Sequence, residues 1–389
     1  MKLSKRAQNI QPSLTLSITA KAKEMKKQGL DVISLAAGEP DFDTMSHIKE
    51  AAKKAIDDGF IKYTATAGIS ELREAICAKL RRDNWLDYEP NQILVSTGAK
   101  QALFNIVMTL IDDGDEVIIP VPYWVSYDEM VKLAGGKSVF LKTNNFKIDP
   151  ERFEKSITPR TKMLILNSPS NPSGVVYEER ELKQIAHICV KHNITVLSDE
   201  IYEKLIYGKK HHSIASINDK IKKNTIVVNG VSKTYAMTGW RIGYAAGPED
   251  VIKAATKIQD HTTSNASSIA QKAAVAALNG PQDHIGKMVW EYKRRRDFMV
   301  ERLNRINGVY ASRPDGAFYV FANVSDFYSE KVKGSLDFCH QLLDGAYVAT
   351  VPGIAFGDDH FIRLSYATGM SNIQRGLERM EKFCENIKK

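Results

Sequence analysis

Cysteine is scarce in this sequence, and the four present, Cys77, Cys189, Cys339 and Cys384, lie far apart. Their scatter excludes a disulfide framework and a thiolate metal site, both of which need clustered or regularly spaced cysteines, so they read as reduced, mostly buried thiols. No apolar run approaches the roughly 20 residues needed to cross a bilayer. The opening residues, MKLSKRAQNI, carry no apolar signal region, so no membrane partner and a cytoplasmic location are expected. Internal repeats and low-complexity tracts are also missing, which excludes solenoids and biased linkers.

Charge of one sign is not concentrated anywhere. Lys and Arg total 54 against 46 Asp and Glu, a net charge of +8, but the two signs are interspersed. The excess could attract an anionic substrate; a solvated surface accounts for it as well. The densest basic run, residues 293–296, sits beside Glu291 and Asp297 in a helical pattern. It reads as an exposed helix face and not as a nucleic-acid stripe, so no nucleic-acid partner is expected.

What is present is enough for a large core. The 389 residues are 43% hydrophobic, and that length suits one large domain with a smaller one. Short apolar runs at 92–95, 116–119, 162–166, 194–197, 225–228 and 242–246 read as strands buried on both faces, and segments such as 178–192 have the length of crossover helices. The middle of the chain is therefore α/β, with a parallel sheet covered by helices. After about residue 281 the pattern changes to a long helical stretch through 306, short strands near 317–322, 347–351 and 361–365, and a helix from 371, which reads as a smaller α+β domain. The expected division is an N-terminal segment 1–35 packing with the small domain through a helix near 16–27, a large domain 36–282 and a small domain 283–389.

Ligands of open α/β sheets collect outside the carboxyl ends of the strands. The residues following four predicted strands are nearly all polar: 96–100, 167–171, 198–202 and 229–233. In the first of these, the amides of Gly98, Ala99 and Lys100 at a helix start suit a phosphate. The segment from Gly230 to Gly243, GVSKTYAMTGWRIG, places Lys233 among small, hydroxylated or apolar neighbours. A lysine so desolvated loses proton affinity and becomes a nucleophile, while Arg241 offers a permanent, planar fork of donors suited to phosphate. Together they point to a cofactor with an aldehyde and a phosphate, as in pyridoxal 5'-phosphate held through a lysine Schiff base.

This segment resembles the lysine-attachment motif of class I aminotransferases, and the likeness extends over nearly the whole chain, with the bacterial Iβ-type aspartate aminotransferases the nearest subgroup. The resemblance implies fold type I, with a mainly parallel seven-stranded sheet sandwiched by helices and a smaller α+β domain. It implies a ping-pong transfer from L-aspartate to 2-oxoglutarate, with amino acids and 2-oxo acids as partners and Lys233 as the catalytic base. By the same likeness Asp199, in a DEIY match, would partner the ring nitrogen, and Tyr202 and Asn171 the phenolic oxygen. Trp124 would stack on the ring, Ser232 would join Arg241 at the phosphate, and Arg363, in FIRLSY, would grip the α-carboxylate. Gly38, in AGEPDF, would let the backbone approach that carboxylate, with Trp124 and Asn171 beside it, and Lys100 would meet the distal carboxylate. Tyr63 would reach the phosphate of the neighbouring subunit, making the active unit a homodimer. Asn171-Pro172 and Val121-Pro122 resemble the family's cis bonds.

Two positions depart from relatives. Gly230 stands where some carry a phosphate-binding serine, and Gln11 where those that also use prephenate tend to have lysine. A prephenate or aromatic aminotransferase is the alternative within the family. A cofactor-sensing regulator would need a DNA-binding domain as well, for which there is no room before Gly38.

Overall fold

The computed structural model describes residues 1–387. Its centre is a seven-stranded sheet: β1 (Ile93–Ser96), β2 (Glu116–Val121), β3 (Lys137–Lys142), β4 (Thr161–Asn167), β5 (Thr195–Asp199), β6 (Thr225–Gly230) and β7 (Gly243–Ala246). The spatial order is β1-β7-β6-β5-β4-β2-β3. All pairings are parallel except those of β7, which runs antiparallel to both β1 and β6. The expected α/β class with a mainly parallel sheet is what forms.

The apolar runs become strands because both faces are covered. Val117, Ile118 and Ile119 of β2 and Leu164, Ile165 and Leu166 of β4 are buried. Residues pointing to one face join Leu103, Ile106 and Val107 of the helix Ala99–Leu110, while those on the other join Leu182, Ile185 and Cys189 of the helix Glu179–Lys191. Each such Leu, Ile or Val side chain contributes about 1.5–3 kcal/mol on burial. The second helix begins at a capping box, in which Glu178 and Glu181 satisfy each other's backbone amides. β3 was not anticipated. It is an edge strand with Lys137 and Lys142 exposed at its ends, so it has no continuous apolar run to betray it.

A second hydrophobic cluster joins chain regions far apart in sequence. Ile18 and Ala22 of the helix Leu14–Lys27, together with Val32, Ile33 and Leu35, pack against Tyr292, Phe318, Phe338 and Leu377. Ile33–Ser34 pairs in parallel with Val348–Ala349. A four-stranded antiparallel sheet lies beside it, in which Tyr319–Asn323 pairs with Phe361–Ser365, flanked by the helices Asp283–Leu303, Ser335–Ala346 and Met370–Ile387. The single strand expected over 347–351 is two, Val348–Ala349 and Val351–Pro352, which serve different sheets.

The basic run at 293–296 is not an exposed face. Lys293 and Arg294 meet solvent, but Arg295 and Arg296 are buried. Successive helical residues turn by about 100°, so four in a row cannot share one face. Arg295 pairs with Asp41 and Glu291, each at 2.8 Å, and Arg296 donates to the Pro314 carbonyl at 2.9 Å. The four cysteines are all buried, and no helix among the described residues is long and apolar enough to cross a membrane.

Candidate active site

Strand direction decides what meets at the sheet edge. β1, β2, β4, β5 and β6 all run the same way, so the residues after them share one side; β7 is reversed, so the residues before it, Arg241 included, arrive there too. A cleft of about 700 Å³ opens at that edge. Every predicted site residue lines it except Gly98 and Tyr63.

Lys233 follows β6, and its Nζ donates to the Gly38 carbonyl at 2.6 Å with the rings of Tyr202 and Phe318 each 5.7 Å away. Burial, and then the positive field of Arg363, pull its ammonium down to about 8. Asp199 ends β5 and is 4% exposed. Its Oδ2 accepts from the Tyr127 hydroxyl at 2.7 Å and its Oδ1 from the Ile201 amide at 3.2 Å. Burial pushes its carboxyl up to about 6 against the pull of those hydrogen bonds. The neighbouring acids face the other way: Glu200 accepts from Ser198 and Ser213, and Glu203 from Asn84 and Lys79. Buried partners behind the sheet thus hold the segment that presents Asp199 and Tyr202 in front.

At the start of the helix Ala99–Leu110 the backbone turns through Gly98, whose φ is +82°. The Gly98 amide donates to the Ser96 carbonyl at 2.7 Å. The Ala99 and Lys100 amides have no acceptor among the described residues, and neither does the Ser232 hydroxyl. Arg241 lies directly over Gly98, where any Cβ would overlap the guanidinium. It is held there by donating to the carbonyls of Thr238 at 3.0 Å and Thr97 at 3.3 Å. Two open amides, a hydroxyl and a guanidinium therefore converge on one corner. Gly230 has its own reason: a Cβ there would stand 2.9 Å from Gly243 Cα and from the Ile242 carbonyl oxygen.

Arg363, on the strand Phe361–Ser365, is 4% exposed. One Nη donates to Asn171 Oδ1 at 2.9 Å and the other to the Ala36 carbonyl at 3.0 Å, while Nε is buried without a partner among the described residues. A guanidinium with an unused buried donor is suited to an incoming anion. Its carbon lies 4.3 Å from the centre of the Tyr319 ring, and the Tyr319 and Tyr202 hydroxyls are 2.8 Å apart. Lys100 Nζ sits 4.9 Å from the Trp124 ring centre. Tyr63 is 93% exposed and outside its own chain's cleft.

Sequence reasoning missed Tyr127, Tyr319 and Glu39, all of which line the cleft. Glu39 accepts from Thr238 at 3.1 Å and supports the charge on Lys233. Tyr127 could have been found from its spacing, three residues beyond Trp124 across the turn that opens the helix Ser126–Leu133, where its amide donates to the Trp124 carbonyl at 3.0 Å; the two rings meet edge-on at 5.3 Å. The peptide bonds before Pro122 and Pro172 are cis, as the resemblance implied, and so is the unanticipated Ser168-Pro169.

Residues 30–380 match the family described as aminotransferase class I and II. The chain belongs to that family. It is 49% identical over 390 residues to the aspartate aminotransferase of Bacillus subtilis, covering 99% of each chain. It is 48% identical over 392 residues to the aspartate/prephenate aminotransferase of Nitrosomonas europaea, covering 98% of this chain and 99% of that one. The crystal structure of the aspartate aminotransferase of Rhizobium meliloti superposes with a TM-score of 0.95 at 45% identity, covering 99% of both chains. The chain is thus an aminotransferase of a family whose membership implies pyridoxal phosphate and small amino and oxo acids.

Proposed function

We propose that this aminotransferase reversibly moves the amino group of L-aspartate to 2-oxoglutarate, giving oxaloacetate and L-glutamate, in a ping-pong cycle on pyridoxal 5'-phosphate. The single observation that carries the reading is the alignment within one cleft of a Lys233 whose proton affinity is depressed, a buried Asp199 and a buried Arg363 with an unused Nε. The names of the relatives agree with it.

The residues present fit the cofactor. Lys233 would hold its aldehyde carbon, Asp199 its ring nitrogen, Tyr202 and Asn171 its phenolic oxygen, and Trp124 its ring face. The Ala99 and Lys100 amides, Ser232 and Arg241 would hold its phosphate. A glycine at 98 is what lets the arginine come that close. When bound, the cofactor supplies an electron sink for the carbanion formed at the substrate Cα.

The chain's own work is to bind, orient and move a proton. Arg363 receives the α-carboxylate through a charged fork, and Gly38 leaves room for it at the backbone. Lys100 meets the distal carboxylate as a point charge on a flexible stem. With its amine depressed to about 8, Lys233 is partly unprotonated near neutral pH and takes the proton from the substrate Cα. The same Nζ holds that proton for the return transfer. Asp199, as a carboxylate, would hold a proton at the ring nitrogen.

Relatives named aspartate/prephenate favour a second reading, in which prephenate is also a substrate. Gln11 is exposed and holds Glu129 through its backbone amide at 3.2 Å. We also infer the homodimer and the divisions 1–35, 36–282 and 283–389; residues 18–35 share a hydrophobic cluster with residues 288–384, which Ile201, Tyr202, Leu205 and Tyr207 of the large domain also join.

The test is the visible spectrum of the cofactor-loaded protein before and after L-aspartate, followed by rates across aspartate, glutamate, prephenate and phenylalanine. Aspartate is expected to convert the spectrum fully, and 2-oxoglutarate to restore it. No spectral response to aspartate, with a response to prephenate alone, would reject the first reading in favour of the second.

A further inference from the structure

We propose that Tyr127 is a positioning residue of the reaction, its hydroxyl keeping the Asp199 carboxylate ionised and aimed at the cofactor's ring nitrogen. The inference rests on the assignment of Asp199 made above, and takes it one residue further from the cofactor.

The geometry is specific. Asp199 has two oxygens: the Ile201 amide occupies one at 3.2 Å and the Tyr127 hydroxyl the other at 2.7 Å, and no other side chain among the described residues donates to either. Held at both oxygens, the carboxylate cannot rotate freely about its Cβ–Cγ bond. Tyr127 is 2% exposed, on the helix Ser126–Leu133, and its ring meets Trp124 edge-on at 5.3 Å. One short segment therefore presents a ring to the cleft and a hydroxyl to the acid behind it.

The chemistry requires such a donor. A buried carboxylate with a single backbone hydrogen bond takes up a proton readily, because desolvation acts on the charged form alone. Four titratable groups face Asp199: Glu200, next in the chain, opposes its charge, Lys233 favours it, and Tyr202 and Tyr127 are phenols. The Glu200 carboxylate is turned away toward Ser198, Ser213 and His211. Burial and the neighbouring acid hold the Tyr127 phenol well above its ordinary range, so it remains a donor throughout the working pH range. Lys233 apart, Tyr127 is then the side chain that offsets the burial of Asp199. Loss of a hydrogen bond to a charged group is expected to raise the proton affinity of Asp199 by about one to two pH units. A more basic Asp199 draws the proton away from the ring nitrogen and weakens the electron sink.

The experiment uses cofactor-loaded protein in three forms: wild type, Tyr127→Phe, and 3-fluorotyrosine placed at position 127. Peptide mapping after borohydride reduction first establishes that the cofactor sits on Lys233. The readout is the nitrogen resonance of 15N-labelled pyridoxal phosphate across pH, with kcat and KM for aspartate beside it. Tyr127→Phe is expected to move the resonance toward the unprotonated ring, with kcat down about tenfold and KM within about twofold. The fluorinated phenol, a stronger donor, is expected to move the resonance the opposite way. Opposite signs support the inference, because a packing defect would not reverse direction between two substitutions of nearly equal shape; should the phenylalanine form fail to fold, the sign of the fluorinated form decides. Cofactor bound at Lys233 with an unmoved resonance overturns the role of Tyr127 alone. Failure of wild type to hold the cofactor there overturns the functional reading as well.

Discussion

The proposed role of Lys233 needs some free amine near neutral pH, and the fold supplies a fraction of it by taking the side chain partly out of water at some expense in stability. Its proton affinity falls from the ordinary lysine value of 10.5 to about 8, so the folded chain binds fewer protons than the unfolded one between those values. Stability linked to this group therefore rises with pH through that window, and the full penalty is present below about pH 8. Lys233→Met is expected to melt above wild type at pH 7 in cofactor-free protein, with the gap closing from pH 8 toward 10.5 in differential scanning fluorimetry; a gap that ignores pH would remove the argument. Arg363 makes the complementary case. Lysine cannot reproduce a fork that already holds Asn171 and Ala36 and offers a free Nε. Arg363→Lys is expected to raise KM for aspartate and for 2-oxoglutarate by roughly 10- to 150-fold, the loss of one charged hydrogen bond. Unchanged KM values for both acids would place the carboxylate elsewhere. These residues were legible because each stands in a motif with its own chemistry. Tyr127 and Tyr319 were not, since an aromatic residue at a helix start or on a strand reads the same whether it fills a core or orients a carboxylate.

Among the elements, β7 deserves its reversal, because an antiparallel strand brings Arg241 and Gly243 to the edge where the parallel strands end. There it packs so closely on the helix Ala99–Leu110 that a Cβ at Gly243 would overlap Gly98 and Ala99 backbone atoms. Backbone on both sides leaves little room to yield. Gly243→Ala is expected to cost about 1–3 kcal/mol by overpacking, read as a lower urea midpoint, and to weaken cofactor affinity in a fluorescence titration, because the Ala99 amide is displaced. Normal affinity with reduced stability would separate that amide from the phosphate corner. Most of the sheet was legible from apolar runs, since strands covered on both faces have to be apolar throughout. The runs nevertheless ended too early: β5 and β6 continue through Asp199 and Gly230, where polar residues signalled loop. The sheet does not end where hydrophobicity ends, because backbone pairing persists for as long as the neighbouring strand does, and Asp199 gains a rigid mount from it.

For the whole molecule, the informative residue is the one that does nothing for its own chain. Tyr63 is 93% exposed and Ile61 beside it 63% exposed, an apolar pair at the surface on the loop before the helix Ser70–Asn84. A tyrosine so placed gains nothing from its own fold, whereas in the proposed homodimer it would complete the partner's phosphate corner beside Arg241. Two-fold symmetry then makes a strict demand, for each site takes Lys233 from one chain and Tyr63 from the other. Tyr63→Ala is expected to weaken cofactor binding and leave the folding of the chain intact, while Lys233→Ala abolishes turnover. Unfolded together and refolded as a mixture at limiting cofactor, the two variants form hybrids with one wild-type site and one carrying both changes. Random pairing makes half the dimers hybrid, so activity is expected to recover to roughly a quarter of wild type, above either variant alone. Recovery shows that sites are shared across the interface through Tyr63. Activity no greater than the mean of the two variants would mean that each chain completes its own site, and that the exposed tyrosine serves something other than the phosphate.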